Sequence, residues 1–174
     1  MGGSGRAQRE APARRALELR PVLYQHPVPE SILARIGDIT VSFALLELVV
    51  QNVAHAQLQV EHPFGQIVTA ELSFRNLRAL TMSLYRARHG EDANFEALRT
   101  MMARAAELAE KRNQITHSEW AAGRTPGTVT RTKTTAKVNR GYRFELTDVS
   151  AEDLGAIADD MKRLAWELQH RFAF

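Results

Sequence analysis

Arg112, Asn113 and His117 are the residues of this sequence whose types and spacing best suit chemistry at a phosphate ester. Arg112 and Asn113 are adjacent, and His117 follows four residues after Asn113. Histidine takes up and releases protons near neutral pH. Arginine keeps its charge at all accessible pH values, and its planar guanidinium binds phosphate oxygens through paired donors. These side chains can therefore move a proton and stabilise negative charge, provided that the fold brings them together.

The segment around these residues predicts a helix that begins near Asp92 and runs to about Trp120. Its core-facing residues recur at helical spacing: Leu98, Met101, Ala105, Leu108 and Ile115. Arg112 continues this stripe, so its guanidinium points toward the core side, where an unpaired charge is costly. Glu47, between Phe43 and Val50 on an earlier helix, is its candidate partner. The alternative is that both side chains reach solvent along their apolar stems.

Asn113 and His117 share another face of the same helix, because they are four residues apart. Ala103, Ala106 and Glu110 lie on that face as well, and the small side chains allow another helix to approach closely. We therefore expect a subunit contact here, with Asn113 and His117 at its edge. Arg112 and His117 are five residues apart, which is about 140° around an ideal helix. Both can serve one cleft only if the arginine side chain bends, the helix distorts or a second subunit completes the site.

Length and composition limit the fold and the chemistry. The 174 residues suit one domain, and 44% of them are apolar, enough for a core. The absence of cysteine excludes disulfides, thiolate nucleophiles and iron–sulfur clusters. The sequence contains no glycine-rich phosphate loop and no close pair of metal ligands, so we expect neither a cofactor nor a metal. Its N-terminus lacks the apolar run of a signal peptide, and no apolar stretch is long enough to span a membrane, so we expect a cytoplasmic protein.

The periodicity predicts an all-α fold, a four- to five-helix bundle with a short β-hairpin inserted before the last helix. Residues 1–28 form a flexible or partly helical lead, and residues 29–174 form the helical domain. The first helix starts at Glu30 and is ended near Val60 by the following His62-Pro63-Phe64-Gly65 sequence. A second helix starts after Thr69 as N-cap, and the last follows a capping box of Ser150 and Asp153.

The hairpin is expected at about residues 127–147, where threonine and valine replace the helical pattern and Asn139-Arg140-Gly141 marks a turn. This region is basic, with six arginines and lysines between residues 121 and 147 and one acidic residue, Glu145. Arg131 and Lys133 alternate with threonines, so they share one face of the strand. We interpret Arg131, Lys133 and Arg143 as candidate RNA-binding residues. The alternative is a solvated edge protected by charge.

The sequence Arg112-Asn113-x-x-x-His117, near the end of a helix in a small helical domain, resembles the motif of the HEPN superfamily. That pattern is arginine, a polar residue, three variable residues and histidine, and here it lies within RNQITHSEW. The likeness extends over roughly residues 30–172, but its specific part is six residues long.

The resemblance implies a homodimeric, metal-independent endoribonuclease in which Arg112 and His117 are catalytic and Asn113 orients the histidine or a phosphate oxygen. The implied product carries a 2′,3′-cyclic phosphate, and the implied setting is a toxin or a defence effector, with an antitoxin or a nucleotidyltransferase as partner. One alternative is a non-catalytic HEPN-like module that binds RNA, a nucleotide or a protein. Another is an unrelated helical interaction protein in which Arg112 only forms an ion pair.

Overall fold

The chain folds as a helical bundle that carries a small three-stranded antiparallel sheet before its last helix. A computed structural model describes residues 27–137 and 141–173. Most of the predicted lead, residues 1–26, therefore lies outside the described residues. The elements in chain order are α1 Glu30–Leu58, α2 His62–Thr69, α3 Phe74–His89, α4 Ala93–Thr116, β1 Glu119–Ala122, β2 Thr128–Lys137, β3 Gly141–Ser150 and α5 Ala151–Phe172.

The long helix α1 is the centre of the bundle and packs mainly against α5 and α3. Its apolar residues recur every three or four positions, which places them on one face and buries them, as periodicity predicts. Ile39, Leu46, Val50 and Val53 are completely buried. The helix ends at Leu58 because Gln59 takes a left-handed conformation with φ of 51°. The bounds predicted for this helix are correct to within two residues.

The segment after α1 differs from the prediction, because His62-Pro63-Phe64-Gly65 opens a separate short helix. Pro63 lies in the first turn of α2, where its missing N–H removes no hydrogen bond. Thr69 was predicted as an N-cap, but it is the last residue of α2. Its buried hydroxyl donates to the Gly65 carbonyl and hydrogen-bonds with His55 over 3.0 Å.

Side-chain caps start the three later helices. Ser73 accepts from the Asn76 N–H at α3, and Asp92 accepts from the Phe95 N–H at α4. The predicted capping box at α5 is confirmed: the Ser150 hydroxyl accepts from the Asp153 N–H, and the Asp153 carboxylate accepts from the Ser150 N–H. These bonds satisfy amide groups that a helix leaves unpaired at its first turn. They also give α5 a fixed start at the end of β3.

The predicted hairpin is present as β2 and β3, and a third strand, β1, pairs with the other edge of β2. The prediction that the third helix extends to Trp120 is wrong, because α4 ends at Thr116 and Trp120 belongs to β1. A close approach requires Gly123 between β1 and β2, since a Cβ there would clash with the Thr128 backbone. At the other turn, Gly141 has φ of 69°, whereas Asn139 and Arg140 lie outside the described residues.

One core joins the helices to the sheet. Leu98, Leu108, Leu154 and Leu168 fill its helical part, and Val129 of β2 is buried against them at the edge. Within the described ranges, no helix is both long enough and apolar enough to cross a membrane. The core therefore holds the C-terminal end of α4 and the start of β2 in a fixed relation.

Candidate functional site

The C-terminal end of α4 presents His117 at the surface. His117 is the C-cap residue, with φ of −112° and ψ of 12°, and its N–H donates to the Asn113 carbonyl over 3.1 Å. The side chain of His117 is exposed. The imidazole ring of His117 is therefore accessible to a ligand, while α4 and β1 on either side fix the position of its backbone.

Side-chain hydrogen bonds to backbone carbonyls surround the end of α4. The Thr116 hydroxyl donates to the Arg112 carbonyl over 3.0 Å, and the Ser118 hydroxyl donates to the Gln114 carbonyl. The Trp120 indole N–H donates to the Ile115 carbonyl over 3.3 Å. The Ser118 and Trp120 side chains thus bond to carbonyls of the last helical turn, which have no amide partner within the helix.

A cavity of about 250 Å³ lies between the last two turns of α4 and strand β2. Asn113 and His117 line it from α4, and Lys133 lines it from β2. The remaining lining residues are polar as well: Glu110, Gln114, Ser118 and Thr134. The cavity therefore combines a histidine, an amide and an ammonium group within one open recess.

Arg112 is partly buried beside this cavity and contacts α1. Its Cζ lies 5.1 Å from the centre of the Phe43 ring, which is within range of a cation–π interaction. Its Nη1 donates to Oδ1 of Asn113 over 3.0 Å, and its Nε is buried without a hydrogen-bond partner. The Arg112 guanidinium thus bends toward Asn113. Because Asn113 lines the same cavity as His117, this hydrogen bond connects Arg112 to that cavity.

The expected ion pair between Arg112 and Glu47 does not form. Among the described residues, no carboxylate lies within 4.0 Å of the Arg112 guanidinium. The physical reason is that Phe43, one turn before Glu47, offers its ring face to the guanidinium. Glu47 is partly exposed, which leaves its carboxylate access to water. This geometry removes the support for an arginine held only by an ion pair.

The basic residues of the sheet turn toward α4. Arg131 donates to Oε1 of Gln114 over 3.1 Å, and Lys133 lies 3.5 Å from Oε1 of Glu110. Residues directly opposite one another in neighbouring strands share a face, and Lys133 pairs with Glu145 and Thr135 with Arg143. Arg143 is therefore on the same face but farther out, and its side chain is exposed.

A second cavity, of about 350 Å³, lies on the other side of Gln114. Lys111 and Arg131 line one part of it, and Asp148 and Asp153 line another. The Thr130 hydroxyl is the main cause that lowers the pKa of Asp148, with a further contribution from the Arg124 charge. The Ser150 hydroxyl and N–H lower the pKa of Asp153. Both carboxyls are therefore held in their ionised forms.

Sequence reasoning missed the contributions of Phe43, Gln114 and Glu110. Phe43 belongs to the buried face of α1, and the contact of its ring with the Arg112 guanidinium joins α1 to α4, which are far apart in the sequence. Gln114 separates the two cavities, and it accepts from Arg131 while donating to Glu110 over 2.9 Å. The four-residue spacing of Glu110 and Gln114 is the one signal in the sequence that indicated such a bond.

Comparison of the chain with protein-family models, with curated proteins and with solved structures finds no match. The part of the chain that the structure describes contains no group of three or more acidic or histidine side chains placed to hold a metal ion.

Proposed function

We propose that this protein is a homodimeric endoribonuclease of the HEPN type that cleaves RNA without a metal. The observation that carries the proposal is the cavity in which His117 lies exposed beside Asn113 and Lys133, with Arg112 bonded to Asn113. A histidine supplies proton transfer, and cations supply charge stabilisation, which are the two requirements of RNA cleavage by the 2′-hydroxyl.

In the proposed reaction, the 2′-oxygen attacks the adjacent phosphorus and the bond from phosphorus to the 5′-oxygen breaks. A general base takes the proton of the 2′-hydroxyl, and a general acid gives a proton to the leaving 5′-oxygen. His117 performs one of these transfers, and His117 of a second copy performs the other. The products are a 2′,3′-cyclic phosphate and a free 5′-hydroxyl.

Arg112 and Lys133 stabilise the negative charge that develops on the phosphate oxygens. Arg112 acts from the side of α1, and Lys133 acts from β2 on the opposite side of the cavity. Because the carbonyl oxygen of the Asn113 side chain accepts from Arg112, its amide nitrogen is the group that Asn113 offers to a phosphate oxygen. Asn113 thus contacts the Arg112 guanidinium through its carbonyl oxygen and the phosphate through its amide nitrogen.

The homodimer is part of the proposal because one chain brings one motif histidine. The part of α4 that contains Ala106, Glu110, Asn113 and His117 is the proposed contact surface. The small side chain of Ala106 lets a partner helix approach closely, and the C-terminal end of this surface brings the two cavities to the rim of the contact. A two-fold axis would make this contact self-complementary.

The test is an RNA-cleavage assay on the purified chain with EDTA present throughout. A labelled single-stranded RNA is incubated with the wild type, with His117→Ala and with His89→Ala, and the product ends are analysed. His89 is the matched control because it is an exposed histidine at the C-terminal end of another helix. We expect cleavage to a 2′,3′-cyclic phosphate by the wild type and by the control, and a loss of about 10²–10⁴-fold for His117→Ala.

The second candidate function is an RNA-binding module that does not cleave, including one that acts with a nucleotidyltransferase. The engagement of the Arg112 guanidinium with Phe43 and Asn113 favours it, since these contacts hold the charge beside the cavity rather than within it. RNA that is bound by the wild type but remains intact would support this candidate and contradict the first.

A further inference from the structure

A third cavity, of about 330 Å³, lies between α3 and α4 and is lined by three arginines. Arg75 and Arg78 come from α3, and Arg99 comes from the start of α4. The other lining residues are apolar: Ala79, Met82, Met102 and Ala103. None of the residues that line this cavity is acidic, so three positive charges face one recess whose floor is apolar.

The charges of these arginines are only partly compensated by neighbouring groups. Arg99 pairs with Glu96, whereas Arg75 forms no ion pair or guanidinium hydrogen bond within the described residues. Arg78 donates to the Met102 carbonyl over 2.8 Å, but its Nε is buried without a partner. Burial, and secondarily the charge of Arg75, lower the pKa of Arg78. An anion that entered the cavity would relieve the repulsion between Arg75 and Arg78.

Arg78 is held in position by stacking. Its Cζ lies 5.6 Å from the centre of the Phe74 ring, and the Phe74 ring meets the Phe43 ring edge-on at 4.9 Å. A guanidinium held on a ring and by one carbonyl keeps its remaining N–H groups in a fixed direction. The cavity thus has one partly buried arginine held by Phe74 and Met102, and two exposed arginines, Arg75 and Arg99, an arrangement suited to a phosphate group.

We propose that the Arg75–Arg78–Arg99 cavity binds a backbone phosphate of the RNA at a distance from the scissile bond. This inference rests on the proposed function, because it takes the ligand to be the RNA that reaches His117. Arg99 and His117 are separated by 18 residues of α4, or about 27 Å along the helix axis. At 3.4 Å per stacked nucleotide, this distance corresponds to about eight nucleotides. Only an RNA longer than that reaches both cavities.

The test measures RNA binding as a function of salt concentration in a His117→Ala background, so that it does not depend on cleavage. The variant Arg75→Gln/Arg99→Gln is compared with Arg86→Gln/Arg163→Gln, which removes the same charge from two exposed arginines elsewhere. The probes are a 15-nucleotide single-stranded RNA and a trinucleotide. Arg78 is left intact because its contacts with Phe74 and Met102 contribute to packing.

For the 15-nucleotide RNA, we expect the first variant to lower affinity about tenfold or more at low salt. We also expect the slope of log affinity against log salt to become shallower by about 0.7, the value for one lost phosphate contact to a single strand. Trinucleotide binding should be unchanged, and the control variant should alter neither probe. An unchanged slope for the 15-nucleotide RNA, or an equal effect of the control variant, overturns the proposal.

The two proposals fail separately. If the wild type cleaves RNA but the arginine variant binds the long RNA normally, the cavity has no role in RNA binding and the nuclease proposal stands. If no cleavage occurs but the arginine variant loses affinity for the long RNA, the cavity proposal stands and the nuclease proposal does not.

Discussion

Arg112→Met separates the structural role of Arg112 from its proposed catalytic role, because methionine keeps much of the apolar stem and removes the charge. The substitution loses a cation–π contact with Phe43, about 0.5–2 kcal/mol, and a hydrogen bond to Asn113, about 0.5–1.5 kcal/mol. It also removes the buried Nε of Arg112, which lacks a hydrogen-bond partner. Burying such a group lowers the stability of the wild type by about 1–3 kcal/mol.

The midpoints of these contributions, about 2.3 kcal/mol lost against about 2 kcal/mol regained, nearly cancel. We therefore expect the free energy of unfolding of Arg112→Met to lie within about 1 kcal/mol of the wild type. The rate of RNA cleavage, in contrast to the stability, should fall strongly. Removing one group that stabilises developing negative charge lowers kcat by about 10²–10³-fold, so the variant should be folded and nearly inactive.

The assays are urea unfolding followed by circular dichroism and the initial rate of RNA cleavage in EDTA. Arg104→Met is the matched control on the same helix, since Arg104 pairs with Asp160 and Glu167 of α5, away from the cavity. It should cost at most about 1 kcal/mol of stability and leave cleavage intact. Cleavage by Arg112→Met within about threefold of the wild type would refute the catalytic role. A loss of more than about 3 kcal/mol would refute the account of its surroundings.

Further predictions concern the cavity, the dimer, the helix cap and the core. Lys133→Met should lower cleavage by at least about tenfold without unfolding the sheet, measured by the same assay, and an unchanged rate would remove Lys133 from the site. Ala106→Arg should convert a dimer to a monomer in light scattering and lower cleavage in parallel, whereas a dimer that survives would move the contact elsewhere. Because the pKa of Asp153 is lowered in the folded state, its carboxylate stabilises the fold above about pH 4, and this stabilisation is lost as pH falls through the folded-state pKa. Asp153→Asn should therefore lower the urea midpoint at pH 7, with a difference from the wild type that shrinks below about pH 4; a difference independent of pH would contradict the cap. Leu46→Ala should cost about 2–5 kcal/mol in urea unfolding, because Leu46 is fully buried in the centre of α1, and a cost below about 1 kcal/mol would contradict that packing.

The long helices could be predicted from the sequence because periodicity directly reports which residues a helix buries. In α1 and α5, the apolar residues that recur every three or four positions are buried at nearly every position, and the Ser150–Asp153 capping box gives the start of α5. The short elements could not be predicted in this way. Helix α2 leaves Phe64 and Ile67 largely exposed, so it lacks the apolar stripe that marks a packed helix.

Strand β1 was missed for a different reason, since its residues are compatible with a helix and its stability comes from pairing with β2. Pairing between distant segments is a tertiary property that local patterns do not report. The site likewise contains features that local spacing predicts and one that depends on a tertiary contact. Spacing placed Asn113 and His117 on one face, and both line the same cavity. The Phe43 partner of Arg112 could not be found by looking for an opposite charge.

The use of an aromatic ring rather than a carboxylate as the partner of Arg112 has a consequence for any phosphate chemistry at this site. A carboxylate would neutralise the guanidinium and compete with a phosphate for its donors. A ring face positions the same group while leaving its net charge intact. Arg78 is held in the same manner, and the two rings meet edge-on, so Arg112, Phe43, Phe74 and Arg78 form one continuous row of contacts with spacings of 5.1, 4.9 and 5.6 Å. The bundle thereby positions, beside or within each of two cavities, an arginine that forms no ion pair among the described residues, and the proposed binding of an extended RNA would use both.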